Sequence, residues 1–204
     1  MAAAALLSAA AGLAGCQYAP PPVTLSAAPP ASLSRPATTL GGRPKAVPIT
    51  CAVGVTELSD IRNDPGMIGV YMNKAVLAPT DRPAWLRALV TGLAERGVLP
   101  VLPGDPPVAT APSDITIVLE KAWITNIFAD IGASVSFRVD EHAPGGTVTQ
   151  MHFRGTRQKF TYWSQAENKF QRAIDLSASQ ALDAMAEHFH TLCKASGFVM
   201  PSGR

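Results

Sequence analysis

The heptapeptide SVSFRVD, residues 134–140, alternates without a fault: Val135, Phe137 and Val139 are apolar, whereas Ser134, Ser136, Arg138 and Asp140 are polar. Successive side chains of an extended strand point to opposite faces, so this pattern demands a strand with one side on a core and the other facing water or a partner. Its neighbours repeat the theme. Upstream, DITIVLEKAWITNIF (114–128) sets Ile115, Ile117 and Leu119 on one side. Downstream, Ala143-Pro144-Gly145-Gly146 supplies a hairpin turn, and residues 147–163 return with Met151 and Phe153 toward the same core.

A sheet with one apolar face needs a cover. Asp81 offers an N-cap and Pro83 lies in the first turn of a helix whose Leu86, Leu89, Val90 and Leu93 share one face, with Gly97 as its end. Ser164-Gln165-Ala166-Glu167 has capping-box spacing. It opens a longer helix with a stripe of Phe170, Ile174, Ser177, Ala181, Met185, Phe189 and Leu192, stopped by Gly197. Shorter strands are expected at ITCAVGVT (49–56) and VLPVL (98–102), with a loop over 57–69 and a proline-rich loop over 103–112. The order is then β-α-β-β-β-β-α. The fold class is α+β, a mixed, mostly antiparallel sheet with two helices on one face.

Composition changes sharply before residue 49. Residues 17–48 hold eight of the 18 prolines and few large apolar side chains. Such a stretch cannot bury enough surface to offset its ordering entropy, and is expected to be a disordered tether ahead of a single domain over 49–204. Of the 17 Lys and Arg, only Arg35, Arg43 and Lys45 precede residue 49, as does none of the 15 Asp and Glu. The domain is therefore almost neutral, without the basic face that nucleic-acid binding requires.

The three cysteines, Cys16, Cys51 and Cys193, divide along the same boundary. MAAAALLSAAAGLAG (1–15) is apolar but shorter than the roughly 20 residues of a membrane-spanning helix, and reads as a signal-peptide core closing on small residues; a buried Ala-rich helix is the alternative. Leu13-Ala14-Gly15-Cys16 resembles the lipobox of bacterial lipoproteins, which implies that Cys16 is lipidated and that 1–16 form a lipoprotein signal. Outside the cytoplasm, Cys51 and Cys193 form either a disulfide or two buried thiols.

Motifs for catalysis are absent: there is no Gly-x-Ser-x-Gly, no His-Glu-x-x-His and no phosphate-cradling glycine loop. No catalytic residue, metal site or cofactor is expected. His188, His190 and Cys193 are the densest set of metal-ligating side chains, yet helical spacing turns His188 about 200° from His190 and leaves two ligands, too few for a tetrahedral site. The loop with Asp60, Arg62 and Asp64 is the remaining candidate for a ligand or partner, against local turn chemistry.

At this loop a family pattern emerges. Asp60-Ile61-Arg62 followed by Asp64-Pro65-Gly66 and Ile68-Gly69, then AVLAPTDRPAWLRALVTGLAERGV (75–98), resembles the YajG-type lipoproteins of Gram-negative bacteria over residues 49–100. The resemblance implies a lipid-anchored protein of the cell envelope, held on the outer membrane and facing the periplasm; Gln17 after the cysteine agrees with outer-membrane sorting. It implies no catalytic residues. The expected partners are the membrane, through N-terminal acyl chains, and an envelope protein, with no nucleic acid. The function expected is that of a non-enzymatic binding or scaffold module. The alternatives are an accessory regulator of a peptidoglycan synthase or transporter, or an envelope hydrolase whose pocket would gather Asp60, Arg62 or His152 with a second titratable group.

Overall fold

Val135, Phe137 and Val139 lose all contact with solvent, while Ser134, Ser136, Arg138 and Asp140 keep part of theirs. The strand that carries them is the middle of a long antiparallel ladder. The computed structural model describes residues 22–26, 47–71, 74–111, 114–127, 130–160 and 166–198. In chain order these form β1 (Val23–Thr24), β2 (Cys51–Asp60), β3 (Met67–Tyr71), β4 (Lys74–Leu77), α1 (Arg82–Thr91), β5 (Val98–Val101), β6 (Asp114–Ile127), β7 (Asp130–His142), β8 (Val148–Phe160) and α2 (Ala166–Ala195). The eight strands make one mixed sheet. The β6–β7–β8 ladder is antiparallel and supplies most of the pairing, whereas β2 runs parallel to both β5 and β6.

β6 is the strand on which the sheet depends. One edge pairs with β7 from Asp114↔His142 to Ile127↔Asp130. The other is divided lengthwise: β2 takes Asp114 to Leu119, and Gly69 of β3 meets Ile124. A bulge between Leu119 and Lys121 inserts one extra residue, and shifts the phase so that Ala122 and Ile124 continue the buried row of Ile115, Ile117 and Leu119. Gly69 has φ +153, and a Cβ there would stand 2.2 Å from the Ile124 carbonyl oxygen, so only glycine permits this junction.

The inner face is covered as its polarity requires. Phe170, Ile174, Ala181, Met185 and Phe189 of α2 are fully buried in one hydrophobic cluster with Val135, Phe137, Val139 and the buried row of β6, and Ser177 of the same stripe is fully buried too. Ser177 interrupts the stripe because its hydroxyl lies within hydrogen-bonding distance of two carbonyls, Ala173 at 2.9 Å and Ala133 of β7 at 3.2 Å. α1 buries Trp85, Leu86, Leu89 and Val90 in the same cluster beside β2 and β5. Arg96 ties the turn after α1 to α2, bonding Asp183 (2.7 Å), Ser179 Oγ (2.7 Å) and the Gly92 carbonyl (2.7 Å).

Cys51, first residue of β2, and Cys193, in the last turn of α2, form a disulfide with Cα atoms 5.8 Å apart and a sequence separation of 142. Both residues are buried.

Several boundaries depart from the sequence reading. The span 57–69 is not one loop: Glu57–Asp60 extend β2, and Met67–Tyr71 form a hairpin with β4. The turn residues Asn63 to Gly66 and the glycine inside β3 mask the strand signal there. α1 ends at Thr91, capped by Gly92; a 3₁₀ turn over Ala94–Arg96 follows before Gly97. Part of the expected tether is ordered as well. Val23 and Thr24 pair in parallel with Val76 and Leu77, and Val23 and Leu25 are buried. A two-residue strand whose partner lies some fifty residues away leaves no local trace in a proline-rich segment. Cys16, the remainder of the tether (17–21 and 27–46) and Ser164 of the expected capping box lie outside the described residues.

α2 approaches β8 most closely at Gly155, where a Cβ would sit 1.8 Å from the Ser177 carbonyl oxygen and 2.9 Å from the Ala181 nitrogen. Gly155→Val is therefore expected to lower stability by about 3 kcal/mol or more in urea titrations, whereas Gly145→Ala, in open space, should cost about 1 kcal/mol through its positive φ alone. Replacing both Cys51 and Cys193 by Ala should cost about 4 kcal/mol, because the disulfide closes a loop of well over a hundred residues. A denaturation midpoint unmoved by the double replacement would show that the bond contributes nothing.

Candidate functional site

The polar half of SVSFRVD forms the floor of the site. Register places Ser136 between Lys121 of β6 and Arg154 of β8, and Ser134 between Trp123 and Thr156. Each row therefore crosses three strands on the outer face of the sheet, with a small serine in the middle and long side chains on either side. At about 4.8 Å per strand spacing, Lys121 and Arg154 are roughly 10 Å apart at their Cα atoms. The result is a trough of about 260 Å³ lined by Lys121, Trp123, Thr125, Ser134, Arg154 and Thr156 among others. Arg154 donates from Nε to Ser134 Oγ at 3.3 Å.

A second open groove, of about 330 Å³, adjoins the first and shares Lys121 and Trp123 with it. Its far wall is the turn after β2, with Arg62, Asn63, Asp64 and Met67. The two surfaces weighed from sequence, the exposed sheet face and the 57–69 segment, are thus brought together along β6.

Within the turn, the named residues serve the chain itself. Arg62 is only 9% exposed, and its Nε and Nη2 donate to the two carboxylate oxygens of Asp60 at 2.8 and 2.7 Å. Nη2 also donates to the Pro65 carbonyl at 2.9 Å, and the guanidinium carbon lies 5.4 Å from the centre of the buried Trp85 ring. Asp64 Oδ1 accepts from the backbone nitrogens of Gly66 (3.0 Å) and Met67 (3.1 Å), an Asx turn. The polar atoms of Asp60 and Arg62 are directed at one another and at local carbonyls rather than at the groove.

Charge on the outer face is unevenly distributed. At one end Glu120 lies 3.0 Å from His152 and 4.0 Å from Arg138, which also bonds Asp140 at 3.2 Å, and Gln150 donates to Asp140. That end is self-neutralising. At the other end, among the described residues, no carboxylate lies within ion-pair distance of Lys121 or Arg154. On α2, His188 faces Glu141 at 3.5 Å and the Phe153 ring, His190 bonds the Arg96 carbonyl at 2.9 Å, and Cys193 is in the disulfide. The three point to different elements.

Lys121, Trp123 and Arg154 escaped the sequence reading. Each is an ordinary outward residue of a strand, and the bulge at Glu120 reverses the phase that would have placed Lys121 and Trp123 with the core row.

No family model matches the chain, nor does any curated protein. Among solved structures it is similar to protein XCC0632 of Xanthomonas campestris, of the DUF330 family model, at 12% identity and TM-score 0.48, over 87% of this chain and 94% of that one. It is also similar to a lipoprotein candidate from Caulobacter crescentus (9% identity, TM-score 0.37, 57% and 83% of the two chains). A minor lipoprotein of Acinetobacter baumannii follows (8% identity, TM-score 0.34, 78% and 100%). The YajG-type resemblance rests on the residues quoted for it.

Removing the Asp60 carboxylate leaves a buried guanidinium without its counter-charge, so Asp60→Ala is expected to cost about 3 kcal/mol. Adding Arg62→Met to it should restore part of the loss, and a double-mutant cycle by urea denaturation reads the coupling.

Proposed function

We propose that this chain is a lipid-anchored protein of the bacterial cell envelope whose folded domain is a non-enzymatic binding module, of YajG type. The observation that carries this reading is the partition of the cysteines. Cys51 and Cys193 are bonded to one another across the core, a pairing suited to an oxidising compartment, and the odd thiol is Cys16, at the end of an apolar segment in a lipobox pattern. Several acyl chains on Cys16, at about 0.8 kcal/mol per buried CH₂, suffice for stable attachment. Gln17 favours the outer membrane as the destination.

Support for a binding role comes from β8. Among the described residues this 13-residue strand pairs only with β7, which leaves its other edge open. Gln180 of α2 caps a single edge amide, that of Thr156, at 3.0 Å. Such an edge suits an extended segment of an envelope protein partner, added as a further strand. The outer grooves are open, and Arg62 is held in its own turn, an arrangement that favours contact over chemistry.

Cys16→Ser is expected to abolish acyl labelling and to move the protein from the membrane to the soluble fraction in cells that process lipoproteins. Retention in the membrane fraction without label would refute the anchor.

A further inference from the structure

The ordered β1 changes what the N-terminal segment does. Only six residues, 17–22, separate Cys16 from Val23, whose side chain is buried and whose backbone pairs with β4. At about 3.5 Å per residue the span from Cys16 to Val23 is at most roughly 25 Å. A folded unit of about 150 residues has a radius of gyration near 15 Å, so it is roughly 40 Å across. The connection is shorter than the domain is wide. If Cys16 carries acyl chains, Val23 therefore stays within about 25 Å of the membrane surface, close enough for a face of the domain to reach it.

The outer face offers the chemistry for that contact. Lys121 and Arg154, without carboxylate partners among the described residues, flank a serine floor beside the half-buried Trp123 and the hydroxyls of Thr125 and Thr156. Paired cations and donor hydroxyls fit phosphate oxygens, and an indole is the side chain that settles at the interface between headgroups and acyl chains. We infer that the Lys121–Trp123–Arg154 face docks on the anionic phosphates of the membrane bearing the anchor. This deepens the lipid-anchor reading and rests on it for the orientation of the domain. The β8 edge borders this face and stays available to a protein partner.

The test uses residues 17–204, which hold every described element but neither Cys16 nor the apolar segment before it, so that acylation and signal insertion play no part. Co-flotation with vesicles of equal parts phosphatidylglycerol and phosphatidylethanolamine is compared with flotation on vesicles of phosphatidylethanolamine and phosphatidylcholine. Binding is expected only on the anionic vesicles and should weaken as salt rises. A basic residue near an anionic surface contributes about 1 kcal/mol, or about fivefold in affinity, so Lys121→Gln with Arg154→Gln should weaken binding about 25-fold. Trp123→Ala should weaken it further, and an unchanged thermal midpoint certifies the fold of each variant. The inference falls if the double variant binds as the parent does, if the neutral vesicles bind equally, or if no vesicle binds. Full displacement by millimolar inorganic phosphate would overturn it too, marking a site for free phosphate. Acyl labelling of the full chain in cells reports the anchor separately. A labelled chain that ignores the vesicles refutes the docking face alone, and an unlabelled one that binds them refutes the anchor alone.

Discussion

The approach of the α2 backbone to β8 at Gly155 sets how closely the long helix lies on the sheet. With no Cβ between them, a helix carbonyl and a sheet residue come within a distance that no other side chain allows. The long apolar stripe of α2 can then reach across β7 to the buried row of β6, and a single cluster forms in place of two partly filled layers. Interiors are close-packed, so a change in this spacing would propagate through every layer of the core. The disulfide fixes the far end of the same helix to β2, and Arg96 fixes its flank to the turn after α1. The helix is thereby held at three places along its length.

The parts of this fold governed by local periodicity could be read directly. The 134–140 part of β7 needs no tertiary information, because its alternation is complete, and the apolar stripe of α2 follows from its 3.6-residue period. Parts decided by distant pairing could not. β1 exists because Val23 and Leu25 find burial beside β4, and nothing in their proline-rich surroundings anticipates it. β3 contains a glycine that argues against a strand until the Ile124 backbone is seen paired beside it. The candidate site is an extreme case. Its residues come from two strands on either side of β7, and a bulge sets the phase of one of them, so register alone assembles it.

The sheet carries two kinds of polarity on one surface. Where Arg138 meets Glu120 and Asp140, opposite charges answer each other, and the His152 ring lies within hydrogen-bonding distance of Glu120. A short distance along the same strands, Lys121 and Arg154 stand across a serine from each other with hydroxyls between. The serines of SVSFRVD are thus more than fillers of the solvent side. Longer residues at positions 134 and 136 would fill the trough and separate the cations from anything approaching it.

The bond between Cys51 and Cys193 makes a covalent ring of nearly everything that folds: α1, all but the last two residues of α2, and every strand except β1 lie at or within its ends. A single peptide bond cut anywhere inside that ring, for example in the proline-rich stretch before β6, would open the chain without releasing a fragment. The cut ends would stay joined through sulfur and could re-form the same core. Damage by proteases would then have to occur twice before any piece of the module was lost.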